Sequence, residues 1–547
     1  MGPLLALNTD YLPADYADVV GREYAQSSTD DHKRLYGQYL TPVAVAEYMA
    51  GLFAIYGHTI RILDPGAGTG VLSCALLQQI AEAAPRPTTV ELIAYEADLA
   101  LSPQLIQTLD NARAWLEARD VQLRYEIRTR DFVLDNARWM TDQLSLTDAA
   151  ERFDLIISNP PYFKLNKQDP RAQAASFVVH GQPNIYAIFM AISAYLLKQG
   201  GELVFIVPRS FTAGPYFRLF RERFFALMRP VRVHLFGSRQ DAFEKDEVLQ
   251  EHVILRGVRD DGWCRRAGEY TVDVSFSAGV RDLGSPRVRT APLSEIIDLS
   301  TPNKHFSIPT TDEEQSIIHL VNSWPGSLHT YDMEISTGPV VPFRAEEFIV
   351  DENGSLDKVP LLWMQNVRPM VVKWPVAMRK RQYIIAAAES AYLLLPTRNY
   401  VLLRRFSAKE EFRRLTAAPF LAADFRKNDV VGFENHVNYI HKRGGELTDD
   451  ESYGIAALLN CHVLDTYFRT YNGNTQVSAT ELRSTPLPDL AIIRQVGEVA
   501  RTQGLTNGDL DDWISNLLMA GQGGKIGEAR RGAGNTKGTR ITKRAAK

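Results

Sequence analysis

The sequence predicts an α/β fold built around a mostly parallel β-sheet, because strand-like and helix-like stretches alternate along its first half. Several strand candidates, such as 203–207, are apolar throughout, which is typical of strands buried on both faces of a sheet. Ligands of such sheets bind beyond the carboxyl ends of the strands, where the following loops converge. We therefore expect the functional residues to lie in those loops.

Seven strand candidates and four long helix candidates occupy the region between Ile60 and about Val258. The strand candidates are Ile60–Asp64, Val90–Tyr95, Gln122–Thr129, Phe153–Ser158, Glu202–Val207, Val231–Phe236 and Glu251–Arg256. The helix candidates are Val71–Ala83, Gln104–Arg119, Asn184–Lys198 and Tyr216–Met228. A proline- and glycine-rich stretch then ends the alternation, and irregular short elements up to about residue 490 predict a second domain.

Length and composition exclude several classes of protein. The 547 residues are 45% hydrophobic and 23% charged, which excludes global disorder, collagen-like repeats and a disulfide scaffold. Cys74, Cys264 and Cys461 lie too far apart for a metal motif, so we expect reduced thiols and no metal. A basic leader and an apolar run of about 20 residues are both missing, so we expect a cytoplasmic protein without a membrane partner.

The charge is distributed unevenly along the chain. Residues 366–444 hold fifteen Lys/Arg and six Asp/Glu, a net charge of +9, and residues 521–547 carry +7. Because the whole chain carries −4, the remaining residues carry −20. A basic segment in an acidic chain favours a local surface that binds polyanions, although a solvated surface would show the same composition. Seven glycines among the basic residues of 521–547 predict a disordered tail.

The first strand candidate leads into a glycine-rich turn, Asp64-Pro65-Gly66-Ala67-Gly68-Thr69-Gly70. Glycines let the backbone turn sharply and approach a bound group beside the positive end of a helix. The turn matches the dinucleotide fingerprint poorly and lacks the Gly-Lys-Ser/Thr of the phosphate loop. An acid at the strand end, Asp64, disfavours a phosphate and favours an ammonium group.

Acidic residues also follow the next two strand candidates. Glu96 can accept hydrogen bonds from both hydroxyls of a ribose, and Asp131 beside Phe132 suits the amino group and ring of an adenine. Each of these residues, taken alone, is more often part of a structural turn. Together, three acids at successive strand ends fit a ligand with an amino group, a ribose and an adenine but no phosphate. S-adenosylmethionine is that ligand.

The fourth strand candidate leads into Asn159-Pro160-Pro161-Tyr162. One interpretation is a proline-stiffened turn. The other is chemical: the side-chain oxygen of Asn159 and the carbonyl of Pro160, held by Pro161, can accept the two hydrogens of an adenine amine. Two such acceptors favour the pyramidal form of the amine nitrogen that is needed for attack. Tyr162 offers a ring on which the base stacks. Catalysis would rest on positioning and electrostatics, and the base must be flipped out of a duplex.

Residues 33–260 resemble the amino-methyltransferases that act on adenine N6. Three motifs carry the resemblance, Gly37-Gln38-Tyr39-Leu40-Thr41-Pro42, Asp64–Gly70 and Asn159–Tyr162, and their order resembles that of the γ class of DNA adenine methyltransferases of restriction–modification systems. The resemblance implies a Rossmann-like, seven-stranded class I methyltransferase fold followed by a mixed α/β target recognition domain. It also implies S-adenosylmethionine as the cofactor and double-stranded DNA with a specific recognition site as the partner.

The resemblance also assigns roles to individual residues. Those expected to contact the cofactor are Tyr39, Thr41 and Pro42 at its methionine end, then Asp64, Pro65, Gly66, Gly68, Gly70, Glu96, Asp131, Phe132 and Asn159. Asn159, Pro160 and Tyr162 are expected to form the target-adenine site, with Pro161 beside them. Family members often place a second aromatic against the flipped base, and Phe163 or Phe243 could fill that role here.

The C-terminal region resembles the recognition domains of this class. Its loop Asn474–Gln476 offers hydrogen-bonding groups to DNA, although a capped turn before a helix would contain the same residues. Arg379–Arg381 and Arg404-Arg405 are candidate phosphate contacts. The expected organisation is an N-terminal extension (1–32), a catalytic domain (33–260), a linker (261–300), a recognition domain (301–490), a helical segment (491–520) and a disordered basic tail (521–547).

The sequence therefore predicts a monomeric, site-specific DNA adenine-N6 methyltransferase that protects host DNA from a separate restriction endonuclease. Three alternatives stay open. The first is methylation of RNA or of a protein glutamine by the same motif, and the second is a catalytically idle DNA-binding subunit. The third is a fused nuclease, which is disfavoured because a convincing Pro-Asp and Asp/Glu-x-Lys constellation is missing from the sequence.

Overall fold

The computed structural model describes residues 7–27, 41–140, 152–180, 183–237, 251–299, 303–352, 357–408, 411–473, 475–503 and 507–531. Contacts between Cα atoms divide the chain into two compact units. The first unit comprises residues 1–312 together with 470–473, and the second comprises residues 313–469 and 474–547. Among the described residues, no helix has both the length and the apolar character needed to cross a membrane.

The first unit contains a nine-stranded sheet in the order β3-β2-β1-β4-β5-β7-β6-β8-β9. Strands β1 to β5 are parallel, and β7 is antiparallel to its neighbours β5 and β6. The strands are β1 Thr59–Pro65, β2 Thr89–Tyr95, β3 Gln122–Arg128, β4 Phe153–Ser158, β5 Leu197–Pro208, β6 Met228–Phe236, β7 His252–Arg259, β8 Thr271–Ser277 and β9 Arg287–Pro292. All seven predicted strands are present, so the predicted α/β class is confirmed.

The two additional strands correct one prediction. Residues 261–300, expected to be a linker, contain β8 and β9, and β8 pairs in parallel with β6. Val272 and Val274 alternate with polar residues and are buried on the core face. The region was missed because this short period-two pattern lies between stretches rich in glycine and proline.

Helices cover both faces of the sheet. Neighbouring residues of a strand point to opposite faces, and Ile62 and Leu63 accordingly belong to two different apolar clusters. The helices are α1 Pro13–Ser27, α2 Val43–Ala50, α3 Val71–Glu82, α4 Ser102–Glu117, α5 Phe132–Asn136, α6 Pro170–Ala174, α7 Ile185–Leu196, α8 Arg218–Leu227 and α9 Leu293–Ile296. Burial on both faces explains why the central strands are continuously apolar.

The predicted N-terminal extension, residues 1–32, is in part an integral piece of the first unit. Within α1, Tyr16 accepts a hydrogen bond from Gln107 Nε2 at 2.8 Å. Tyr24 donates to Asp98 Oδ2 at 3.0 Å, two residues beyond Glu96. Helix α1 is thus tied to the loop that follows β2.

The second unit combines three small sheets with helices. The sheet orders are β10-β20-β17-β18, β11-β15-β12-β19-β16 and β13-β14. The strands are β10 Met333–Thr337, β11 Ile349–Val350, β12 Lys358–Leu362, β13 Val367–Arg368, β14 Val371–Val372, β15 Tyr383–Ile385, β16 Leu394–Pro396, β17 Tyr400–Arg404, β18 Ala417–Phe420, β19 Val430–Phe433 and β20 Val437–Lys442. The helices are α10 Asp312–Asn322, α11 Asp449–Asn460, α12 His462–Tyr471, α13 Ala479–Arg483, α14 Leu490–Thr502 and α15 Asn507–Arg531.

The C-terminal end also differs from expectation. Helix α14 packs closely on α11, since a Cβ added to Gly454 or Gly497 would collide with the backbone of the other helix. Residues 521–531, predicted to be disordered, are the last part of α15. Glycine disfavours a helix by about 1 kcal/mol per residue without forbidding it, and the alanine, lysine, arginine and glutamate residues among these glycines favour one. Residues 532–547 lie outside the described residues.

Candidate functional site

The glycine-rich turn follows β1 at the carboxyl end of the parallel strands. Gly66, Gly68 and Gly70 have φ of +93°, +57° and +88°, a region that residues with a Cβ rarely adopt. The amides of Gly66 and Ala67 donate to the carbonyl of Tyr95 at 2.9 and 2.8 Å. The turn is therefore anchored to the end of β2, and it delivers the chain into α3, whose N-cap is Gly70.

Glu96 connects this turn to the loop after β2. The carboxylate is nearly buried, and its two oxygens accept from the amides of Gly68 and Asp98, each at 2.8 Å. Burial raises the pKa of Glu96, while these amide bonds oppose the rise. Each oxygen keeps one lone pair that can accept a further donor, such as a ribose hydroxyl.

Asp64 is fully buried at the end of β1. Its Oδ2 accepts from the Ser73 hydroxyl at 2.6 Å, whereas Oδ1 has no hydrogen-bond partner among the described residues. Burial, together with the negative charge of Glu96, raises the pKa of Asp64 from 3.8 to about 7. A buried carboxylate oxygen without a partner favours a positively charged or hydrogen-bond-donating ligand at this position.

The Asn159–Tyr162 segment follows β4, the strand beside β1. Asn159 is half-buried; its Nδ2 donates to the hydroxyl of Thr41 at 3.0 Å, and its Oδ1 accepts from the Tyr162 hydroxyl. Tyr162 is also within reach of the Ile206 carbonyl at 2.8 Å. Pro160 is buried and Pro161 half-buried. The amide of Asn159 is thus held in one orientation by two partners.

The two predicted sites meet at the ends of β1 and β4. The hydroxyl of Ser158, the residue before Asn159, donates to the carbonyl of Pro65 at 2.7 Å. Ser158 is fully buried, so this bond is shielded from water. The structure therefore joins the glycine-rich turn to the Asn-Pro-Pro-Tyr segment directly.

Other predicted cofactor residues have structural partners. Asp131 caps α5 by accepting from the amide of Leu134 at 3.0 Å, and Phe132 is buried between the rings of Tyr95 and Phe189. Pro42 is the N-cap of α2. Their contacts with a cofactor stay predictions, as does that of Tyr39, which lies outside the described residues.

Sequence reasoning missed two rings beside Tyr162. The ring of His252, at the start of β7, lies 5.1 Å from that of Tyr162, and Tyr186 of α7 lies 6.3 Å away. Of the predicted second aromatics, Phe163 is half-buried with Arg171 over its ring at 5.5 Å, and Phe243 lies outside the described residues. A single histidine at the start of an apolar strand carries no local sign of the ring that it will face, so the sequence did not predict this contact.

The predicted basic surface of the second unit is partly structural. Arg381, Arg404 and Arg405 donate to backbone carbonyls of Ile349, Val367 and Asn435 at 3.0, 2.8 and 2.9 Å. A second set, which shares only Arg379 with the predicted candidates, has exposed side chains that make no hydrogen bond or ion pair with another described residue. It consists of Arg368, Lys373, Arg379, Arg426 and Lys427.

A groove of about 610 Å³ is bordered by two of these exposed cations. Arg426 and Lys427 line it together with Trp374 and Phe425, and one acid, Asp424, is also in its wall. The predicted recognition loop lies elsewhere in the second unit. Ser478 and Glu481 form a capping box there, which supports the interpretation of a capped turn before α13, and Asn474 lies outside the described residues.

Comparisons with known proteins agree with the site. The model of the Eco57I restriction-modification methylase family matches residues 85–243. The chain is 33% identical over 506 residues to the Type II methyltransferase M.PstI of Providencia stuartii, covering 91% of this chain and 96% of the relative. It is also 33% identical over 495 residues to M.BsuBI of Bacillus subtilis, covering 89% and 95%.

A further match is shorter. Over 148 residues the chain is 32% identical to the tRNA1(Val) (adenine(37)-N6)-methyltransferase of Tolumonas auensis, covering 27% of this chain and 51% of the relative. The two full-length matches extend through both units. The chain therefore belongs to the Type II restriction–modification methyltransferases, which methylate DNA with S-adenosylmethionine as the methyl donor.

Proposed function

We propose that this protein transfers a methyl group to N6 of an adenine flipped out of a specific site in double-stranded DNA. The observation that supports this most strongly is the position of Asn159, half-buried and tied to the glycine-rich turn through its neighbour Ser158. The adenine(37)-N6 activity in the name of the tRNA enzyme supports adenine as the target base. The full-length similarity to Type II methyltransferases favours DNA over RNA or protein glutamine.

The residues around the glycine-rich turn fit S-adenosylmethionine. Asp64 Oδ1 is a buried acceptor without a partner among the described residues and suits the ammonium group, while Glu96 has capacity for ribose hydroxyls. At Gly68 an added Cβ would meet no described atom within 4 Å, so the turn is open there to the close approach of a ligand. When bound, this cofactor supplies a methyl group already activated on a sulfonium.

The protein's own residues orient the target base. In our proposal, Asn159 Oδ1 and the Pro160 carbonyl accept the two hydrogens of the adenine amine, which directs the nitrogen lone pair towards the methyl donor. The N–C bond would form as the donor's S–C bond breaks, and one of the two amine protons would then pass to solvent. Stacking on the Tyr162 ring holds the plane of the base. Both acceptors are fixed before the base arrives, so little reorganisation is needed during transfer.

Tritium incorporation followed by modification-sensitive sequencing tests this function. Plasmid DNA incubated with the protein and tritiated cofactor should gain N6-methyladenine in one sequence context, and an equal amount of RNA should gain little label. N4-methylcytosine, or label in RNA alone, would contradict the proposal.

A pair of asparagine variants tests the assigned residue. Asn159→Ala should lower transfer by about 100-fold or more, as loss of a preorganised electrostatic contact does, with cofactor affinity near that of the wild type. The matched control is Asn166→Ala, because Asn166 is exposed and, within the part of the chain that the structure describes, its side chain accepts only from the amide of Gln168, at 3.2 Å. Wild-type turnover by Asn159→Ala would remove the role given to Asn159.

We also propose the context of the reaction. Modification by one subunit per strand suits a monomer, and protection of host DNA requires a restriction endonuclease on a separate chain. Both proteins would then act in the bacterial or archaeal cytoplasm, where the host DNA is. Sedimentation of the protein alone and with cognate DNA tests the monomeric state.

A further inference from the structure

Residues 470–473 belong to the first unit although the residues on both sides belong to the second. The carbonyl of Thr470 accepts from the Ile308 amide at 2.8 Å, and that of Tyr471 accepts from the Thr212 hydroxyl at 2.6 Å. The ring of Tyr471 stacks on His305 with centroids 5.0 Å apart. This segment, which we call the strap (470–473), is thus fixed to the first unit by several contacts.

Arg209 holds the strap to the ends of β5 and β7. It follows β5 directly, is 5% exposed, and forms an ion pair with Glu251 at 3.1 Å while its amide donates to the Glu251 carbonyl at 2.7 Å. Its Nη2 donates to the carbonyl of Thr470. Gly473 lies on the aliphatic part of the same side chain, where an added Cβ would be 3.1 Å from Arg209 Cβ.

The strand ends fixed in this way also position Tyr162. Pro208, the residue before Arg209, pairs with His252, the residue after Glu251, where β5 and β7 lie side by side. The His252 ring packs 5.1 Å from the Tyr162 ring, and the carbonyl of Ile206 lies 2.8 Å from the Tyr162 hydroxyl. A shift of either strand end would therefore move the surface on which Tyr162 rests.

We propose that Arg209 is a positioning residue for the target base: by clamping the strap to the ends of β5 and β7, it keeps Tyr162 in place to receive the flipped adenine. This inference rests on the proposed function of Tyr162. Arg209 acts through Glu251, His252 and Ile206, whereas the acidic cofactor residues Asp64 and Glu96 lie at the ends of β1 and β2.

Substitutions of Arg209 separate base positioning from cofactor binding. Arg209→Ala should lower the turnover number on plasmid DNA by about 10-fold or more, because small displacements at a reacting centre have effects of that size. Cofactor affinity, measured by calorimetry, should change less than about 3-fold, since those contacts are untouched. Arg209→Lys keeps the charge but loses the forked geometry, so its turnover number should lie between those of the wild type and Arg209→Ala.

A substitution from the opposite side tests the same contact without removing a charge. Gly473→Ala places a methyl group against the Arg209 side chain, and we expect the same kind of defect with smaller size. Gly268→Ala is the matched control, because an added Cβ there meets nothing within 4 Å. A duplex with 2-aminopurine at the mapped target adenine reports on the base itself. The fluorescence of this duplex when bound to Arg209→Ala or Gly473→Ala should differ from its fluorescence when bound to the wild type. The duplex bound to Gly268→Ala should fluoresce as it does with the wild type.

The outcomes are distinguishable. Wild-type turnover and fluorescence in both Arg209→Ala and Gly473→Ala would overturn the inference. So would a parallel loss of cofactor affinity and thermal stability in Arg209→Ala, which would indicate a purely structural residue. A wild-type protein that does not methylate adenine would contradict the proposed function instead.

Discussion

The side-chain amide of Asn159 donates to the hydroxyl of Thr41 at 3.0 Å, across 118 residues of sequence. Because Nδ2 is used in this bond, Oδ1 must point the other way, towards the Tyr162 hydroxyl, which donates to it. Thr41 is itself buried, so the bond is protected from water. Thr41 therefore selects the orientation in which Asn159 presents an acceptor to the target amine.

This relationship predicts a defect in turnover for Thr41→Val. The substitution keeps the shape of the side chain but removes the acceptor for Asn159 Nδ2, which costs roughly 1–3 kcal/mol when a buried donor loses its partner. We expect the turnover number to fall by about 10-fold in a tritium-transfer assay, because a loss of about 1.4 kcal/mol of transition-state stabilisation lowers a rate tenfold. Thr41→Ser keeps the hydroxyl and should retain most of the activity. Equal activity of the two variants would contradict the orienting role.

Glu96→Gln should weaken cofactor binding without changing DNA affinity. A neutral amide has one oxygen, so it cannot accept from both the Gly68 and Asp98 amides as the carboxylate does. We expect about a 10-fold rise in the cofactor dissociation constant, which is the effect of losing one charge-assisted hydrogen bond. Glu91→Gln, near the start of the strand that ends just before Glu96, is the control because Glu91 forms an ion pair with the half-buried Arg61 and has no contact with the glycine-rich turn among the described residues. If calorimetry shows normal cofactor binding but weaker DNA binding, the assignment of Glu96 is wrong.

Asp64 predicts a proton release on cofactor binding. In the free protein its pKa is about 7, so at pH 6 most molecules carry a neutral Asp64. A cofactor with a positive ammonium favours the carboxylate, so binding below pH 7 should release a proton and affinity should rise with pH up to about 7. Calorimetry at pH 6 in two buffers of different ionisation enthalpy measures this release. The two buffers should give the same enthalpy for Asp64→Asn, and the same result for the wild type would contradict the prediction.

The pKa of Asp64 also sets a dependence of stability on pH. Because the folded pKa lies above the unfolded value of 3.8, the folded state binds more protons between about pH 4 and 7. The contribution of Asp64 to the free energy of unfolding therefore falls as the pH rises through that range and is constant above it. Denaturant unfolding at pH 5 and at pH 8 measures this contribution. The free energy of unfolding at pH 5 minus that at pH 8 should be smaller for Asp64→Asn than for the wild type, because the variant lacks the contribution of the Asp64 carboxyl group.

Gly70→Ala should be more destabilising than Gly68→Ala. Both glycines have positive φ, but an added Cβ at Gly70 would lie 3.0 Å from Leu105 Cδ1 and 3.3 Å from Thr108 Cγ2, whereas at Gly68 it meets nothing within 4 Å. We expect losses of about 2–3 kcal/mol and about 1 kcal/mol, from strain plus crowding and from strain alone. Denaturant unfolding measures both, and equal losses would show that crowding at Gly70 is relieved without cost.

The first half of the fold could be predicted because its signals are local. The apolar run 203–207 and the Asp64–Gly70 turn each consist of neighbouring residues, and backbone sterics and burial act on them in the same way in many proteins. The strands β8 and β9 were missed, since their weak alternation becomes recognisable only when β8 pairs with the edge of β6 and β9 then pairs with β8. The helix at 521–531 was missed for a related reason, since glycine content weighs against a helix without deciding the outcome.

What the sequence by itself determined is the set of motifs at the strand ends and, through their types of side chain, the chemistry they can perform. Only the tertiary structure decided how they are joined: Ser158 to Pro65, Asn159 to Thr41, and His252 beside Tyr162. These partners are far apart along the chain. Their contacts depend on sheet register and packing, in which every element constrains the others, and no single stretch of sequence contains that information.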